Sequence, residues 1–240
     1  MPETVRRFPG AERVLAAHAP ALPQPDQQCG PFAAAAALQA VLAPGPTVAA
    51  LALASGTAIW PHDVPEWRPA GAPADTTGWE DLPRADGIED SGTDATGLAA
   101  GLGRLVGDRV SVVPARGSTP RSLRTLFDGL LRASYDVGVV ANLRTGPVLE
   151  GTGHTWDVGH FVVLYGVTDD RARVAVADSY RELGTPGAPP GCRLVDLDAL
   201  CRALEAPPGR GLLLLVRTDV SPAATDLVVT SGLSNELWSA

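Results

Sequence analysis

From Pro31 to Leu42 the chain is an almost unbroken run of Ala, Leu, Val and Phe, with Gln39 as its one polar residue. A helix made from that run is apolar around most of its circumference, so it must lie at the centre of the fold. Pro31 suits the first helical turn, where its missing N–H would be unpaired in any case. Just upstream stand Gln27, Gln28, Cys29 and Gly30. A cysteine at that point meets the unpaired N–H groups of the first turn and the positive end of the helix dipole, and both favour a thiolate. Cys29 therefore reads as a nucleophile. The competing reading, a small thiol packed in an alanine-rich helix, is the ordinary one for an isolated cysteine.

Composition limits what surrounds that helix. At 240 residues and 45% hydrophobic, the chain can bury one sizeable core, and 26 Gly and 22 Pro predict many loops. A net charge of −8, with Arg as the only strongly basic residue type, argues against nucleic-acid or anionic-membrane partners. Met1 to Arg13 lacks the apolar core of a secretory signal, and no run of about 18 apolar residues occurs, so a cytoplasmic protein is expected. Three cysteines without a CxxC pair disfavour a disulfide framework and a structural zinc site. Cys192 reads as a loop thiol and Cys201 as a helix core residue. Neither a metal nor a cofactor is expected.

The pattern of elements is helical first and extended later. Helices are predicted over residues 12–18, 31–42, 48–55, 95–106, 120–133 and 195–204, and strands over 110–113, 137–143, 161–167, 173–177 and 212–217. That order makes an α+β protein with an antiparallel sheet. Residues 57–91 break every periodicity with five prolines and hold Trp60, Trp67 and Trp79, which suggests a substrate-facing wall or a loop pinned to the body. Residues 1–220 read as one domain. Residues 221–240 show no complete element, so disorder is the default there, and a segment covering a groove is the alternative.

A cysteine nucleophile needs a base, and the base needs an acceptor that orients it. Of the four histidines, His160 alone stands at the mouth of a confident strand, in Gly159-His160-Phe161-Val162-Val163-Leu164. The next strand ends in Asp178. If Tyr165–Val167 pairs with Arg173–Ala175 across the intervening turn, His160 and Asp178 share one end of the sheet. His154 and Asp157 lie upstream in a turn, where Asp157 either lines the cleft or caps the turn.

Four motifs occur in order: Gln24-x-x-x-x-Cys29-Gly30-Pro31 opening a helix, Gly92-Thr93-x-x-x-Gly97-Leu98, the Gly159-His160 strand, and Ala177-Asp178-Ser179. Together they resemble the papain-like cysteine peptidases, and most of all the bacteriocin-leader (double-glycine) peptidases and their stand-alone relatives. The likeness runs from about Leu22 to Tyr180, with 57–91 as an insertion. The spacing of His160 and Asp178 also resembles phytochelatin synthase, an acyl-transferring relative.

The resemblance implies a papain-like α+β fold with a central catalytic helix packed on an antiparallel sheet and the site in the cleft between the two layers. It implies Cys29, His160 and Asp178 as catalytic residues, and a glutamine completing the oxyanion hole with the Cys29 N–H. Gln24 stands one position closer to the cysteine than the family's glutamine does, and Gln28 is the alternative. The implied substrate is a peptide or a small amide or thioester; Trp60, Trp67 and Trp79 of the insertion and Asp157 of the turn are the substrate-binding candidates read from the residues themselves. The acyl group then passes to water, or to an amine or thiol in a transferase. A non-catalytic peptide-binding module on the same fold is the reading from a different class.

Overall fold

The computed structural model describes residues 4–117 and 119–238. In chain order the elements are β1 (Val5–Arg7), α1 (Ala11–Ala21), α2 (Cys29–Leu38), α3 (Val48–Ser55), α4 (Ala95–Val106), β2 (Val110–Arg116), α5 (Pro120–Arg132) and β3 (Gly138–Arg144). They continue with α6 (Thr145–Leu149), β4 (Gly159–Thr168), β5 (Arg173–Ala177), β6 (Cys192–Asp196), α7 (Leu197–Glu205), β7 (Gly211–Arg217) and α8 (Ser221–Thr230). The strands form one antiparallel sheet in the order β2-β7-β3-β4-β5-β6. β1 pairs with β4 at Gly166 to Thr168, beyond the point where β3 stops. The class is α+β, as the element pattern predicts.

The sheet is covered on both faces, which corrects the expectation of two layers. Val140, Val163, Leu213 and Leu215 pack with α2 and α4 on one side, and Val139, Val162, Leu164, Leu212 and Leu214 pack with α5, α7 and α8 on the other. A strand buried on both faces needs apolar residues at every position, and this accounts for the unbroken runs of β4 and β7. α2 lies close against the sheet because its side chains are small. At Gly138 any Cβ would run into the carbonyl of Ala37, so the glycine is what lets helix and strand approach.

Three further expectations need correction. The residues 195–204 taken as one helix divide, with β6 running through Val195 to Asp196 and α7 starting at Leu197. β6 was hidden because Arg193, a charge where an apolar residue belongs, is buried within it. Cys192 is accordingly a buried strand residue and not a loop thiol. The tail is also ordered as far as it is described, and residues 239–240 lie outside the described part. α8 packs its Ala224 and Val228 into the α5 side of the core. The chain then bridges Arg116 through Ser234 at the sheet edge, and buries Trp238 on the α2 side against Gly211. It clasps the sheet edge and lines no part of the cleft. Among the described residues no helix is long and apolar enough to cross a membrane.

Candidate active site

Cys29 is the first residue of α2, and His160 the second of β4. Between Val163 and Val167, β4 and β5 pair almost as expected, Gly166 facing Ala175 and Val167 facing Val174, with one bulge at Tyr165. This carries Asp178, the residue after β5, alongside His160. His160 Nε2 lies 3.1 Å from Asp178 Oδ1, and the Ser179 hydroxyl is 3.3 Å from the same nitrogen. The ring is held edge-on by Trp156 at 5.0 Å and stacked by Tyr180 at 6.0 Å. Its other nitrogen is not taken by these groups, and Cys29 lies close enough for ring and sulfur to shift each other's protonation.

Asp178 is fully buried and does not face His160 alone. Arg193 Nη1 donates to its Oδ2 at 2.8 Å, and the Tyr180 N–H approaches Oδ1 at 3.3 Å. Burial by itself raises a carboxyl pKa, but Arg193 and His160 outweigh it and keep Asp178 ionised well below the usual carboxylate range. His160 shows the converse. Burial pulls its pKa down, yet the Asp178 charge and hydrogen bond, together with Cys29, lift it to about 9. At Cys29, burial pushes the thiol up while the His160 hydrogen bond and charge, then the N–H groups of Phe161 and Gly30, bring it below its ordinary value. The arrangement favours a thiolate–imidazolium pair near neutral pH. Cys192 and Cys201 are pushed the other way by burial, each to about 11.

Cys29 and His160 open into a cavity of about 490 Å³. Gln24 lines it, buried, with Nε2 at 3.2 Å from the Tyr180 hydroxyl and Oε1 without a partner. The Tyr180 hydroxyl, which accepts from Gln24, in turn donates to Asp26 Oδ1 at 3.5 Å. Gln28 does not enter this cavity. Its amide donates to the Thr77 carbonyl at 3.2 Å and faces a smaller pocket behind the loop.

The loop 57–91 is fastened by the three residues that precede Cys29. Gln27 Nε2 donates to Trp60 O at 2.9 Å and its Oε1 accepts from Trp60 N at 2.8 Å. Asp26 pairs with Arg68 at 2.7 Å, and its carbonyl accepts from Trp79 Nε1 at 3.2 Å. With Gln28 on Thr77, all three residues grip the same loop. Gln27 has a left-handed backbone, φ 66°, uncommon outside glycine, which turns its side chain to the loop as the chain enters α2. Replacing Gln27 with alanine removes both amide bonds, at a cost of about 1–2 kcal/mol. The expected outcome is faster amide exchange at Trp60 and Ala58 by mass spectrometry, with exchange in β3 unchanged.

Among the tryptophans, Trp67 and Trp79 line the cavity, whereas Trp60 does not: its ring packs on His62 at 5.2 Å. Asp157 also lies outside it, bound to Arg144 at 2.8 Å and to the Gly146 N–H at 3.0 Å. Sequence reasoning missed Arg193, Tyr180, Trp156 and Asn142. Arg193 had one signal, a charge inside an otherwise apolar strand. Among the described residues no group of three or more His, Cys, Asp or Glu is placed to hold a metal ion.

Comparison with known proteins supplies a family. The profile of a family of unknown function, DUF6885, matches residues 8–239. The chain belongs to DUF6885. The match to DUF6885 spans the Cys29 helix, both His160 and Asp178, and the tail as far as Trp238. No curated protein matches the chain.

Proposed function

We propose that this DUF6885 chain is a cysteine-dependent hydrolase on a papain-like fold, cleaving a peptide or small amide bond through an acyl-enzyme on Cys29. The observation that carries the reading is that Cys29 and His160 line one cavity with the buried Asp178 hydrogen-bonded to His160 behind them, the three groups being drawn from α2, β4 and the end of β5. A buried ion pair isolated from solvent would be a poor stabilising device, because desolvation offsets most of its attraction. One that opens on a cavity and activates a sulfur has a chemical use.

The Cys29 thiolate attacks the carbonyl carbon, and the electron pair of the C=O bond moves to oxygen. The oxyanion is met by the Gln24 amide and the Cys29 N–H. On collapse, His160 gives its proton to the departing nitrogen, leaving an acyl thioester. His160, now neutral, takes a proton from water as water attacks that thioester, and collapse of the second oxyanion breaks the C–S bond, releasing the acid and restoring the thiolate beside the protonated ring. Asp178 keeps the ring in place throughout, and stays ionised because Arg193 shares its charge. Transfer to an amine or thiol differs only in which nucleophile takes the place of water.

The test uses a reactive ester, p-nitrophenyl acetate. The expected result is a burst of p-nitrophenolate stoichiometric with protein and an acetyl group mapped by mass to Cys29, both absent in Cys29→Ala. A steady release with no burst and no adduct, equal in the two proteins, would overturn the proposal in favour of a binding module.

A further inference from the structure

The antiparallel order brings three strand ends to the place where His160 sits. β3 finishes on Arg144, which faces Gly159 at the start of β4, and β7 begins at Gly211, directly after Arg210. In the ladder Asn142 pairs with both Phe161 and Gly211, so β7, β3 and β4 lie side by side at that end. Arg144 and Arg210 both line the cavity that holds Cys29.

Neither guanidinium is loose. Arg210 is half-buried, and its Nη1 donates to the carbonyls of Ala206 and Pro207, each at 3.1 Å. Its Nη2 lies over Gly159, where a Cβ would stand 3.1 Å from it, so the residue next to His160 leaves room for the guanidinium. Arg144 is held through Nε by Asp157 at 2.8 Å. Asp157 acts on Arg210 from a distance, and it already serves Arg144 and the Gly146 N–H directly. Two cations share one anion here, in a protein whose net charge is −8. Burial and the neighbouring Arg144 both work against the charge on Arg210. The opposite charge of an incoming carboxylate offsets both.

From this geometry we infer that Arg210 and Arg144 form an anion subsite beside His160, which selects acyl substrates carrying a carboxylate. A guanidinium fork matches a carboxylate in two parallel hydrogen bonds, and does so best where water is partly excluded. The other wall of the cavity, built by the loop from Val64, Trp67, Trp79 and Ile88, offers apolar and aromatic surface, with Glu89 as its carboxylate and Arg68 already paired with Asp26 and Asp63. The preferred substrate therefore places an apolar group on the loop side and its anionic group at the sheet end. In a peptide that anion is an acidic side chain or a free C-terminus.

The inference rests on Cys29 being the reactive thiol, and matched alkylating agents separate the two ideas. Iodoacetylglycine and iodoacetylglycinamide share a reacting carbon and differ only in a carboxylate one residue away. The expected result is that the acid alkylates Cys29 about tenfold faster than the amide once both rates are referred to free glutathione. Arg210→Gln and, separately, Arg144→Gln are expected to bring the ratio of the acid to the amide rate, measured within each variant, to about one, and Arg210→Lys to keep part of the preference. Equal rates for acid and amide, or a preference that survives in both glutamine variants, would overturn the subsite and leave the Cys29 reading intact. If Cys29 reacts no faster than Cys192 with either reagent, both fall.

Discussion

Replacing His160 with alanine is expected to slow the alkylation of Cys29 by iodoacetamide by roughly ten- to a hundredfold at pH 6, because without the imidazolium most of the sulfur stays protonated. The loss is smaller than the change in thiolate fraction alone, since a thiolate of lower pKa is also a weaker nucleophile. The shape of the pH profile decides the matter. With His160 present the rate is nearly flat through neutrality, and its alkaline change comes where the ring loses its proton, at about 9. In His160→Ala the rate climbs with each pH unit through neutrality and beyond, because burial then pushes the thiol up with no imidazolium to oppose it. Parallel curves would mean that His160 does not act on the sulfur. Cys192 and Cys201, both buried and raised to about 11, serve as unreactive internal references.

The second large effect concerns Arg193. Its substitution by methionine leaves Asp178 buried with His160 as its sole cationic partner, and breaking a buried pair in this way costs about 3 kcal/mol, the lower end of the usual range. For a chain of this size the thermal midpoint drops by about 6–12 °C. Urea unfolding measures this, and an unchanged midpoint would remove Arg193 from the account of Asp178. The pH dependence has a definite sign. Asp178 is lowered when folded, so its stabilisation is complete above the ordinary carboxylate value of 3.8 and is lost as pH falls toward the folded value beneath it. His160 is raised, so its contribution is complete below 6.5 and is lost as pH rises through about 9. Cys29, lowered like a carboxylate, adds stability toward the alkaline side. Asp178→Asn should therefore flatten both the acid limb and the decline above pH 6.5.

Much of this architecture was legible in local patterns. The bounds of α3, α4 and β5 follow from residues that cap, break or alternate within each segment itself, and the pairing of β4 with β5 follows from the short turn between them. The relation of His160 to Asp178 was readable for the same reason, because one hairpin connects them. Arg193 was not, since its burial depends on a carboxylate just past the end of another strand that cancels its charge. β1 was hidden similarly. Its Val5-Arg6-Arg7 carries no strand signal and pairs only because β4 extends past the end of β3.

Gln27 and Gln28 make the same point at the site. Their amides suit an oxyanion hole as well as they suit a carbonyl acceptor, and only the path of the loop, which brings Trp60 and Thr77 within reach, assigns them to fastening it. The tail is a further case. A helix of ordinary residues and one tryptophan have no destination until the start of β7 offers Gly211 and α5 offers its face.

The sequence by itself determined the central apolar helix, the cysteine at its start, the antiparallel sheet and the hairpin that joins the histidine to its aspartate, because each depends on neighbours close along the chain. Tertiary structure alone decided which charges balance inside, which glutamine faces the cavity, and which arginines stand beside the histidine. Those outcomes depend on groups far apart in sequence meeting where water is scarce, and there a polar side chain takes whichever partner the packing brings to it.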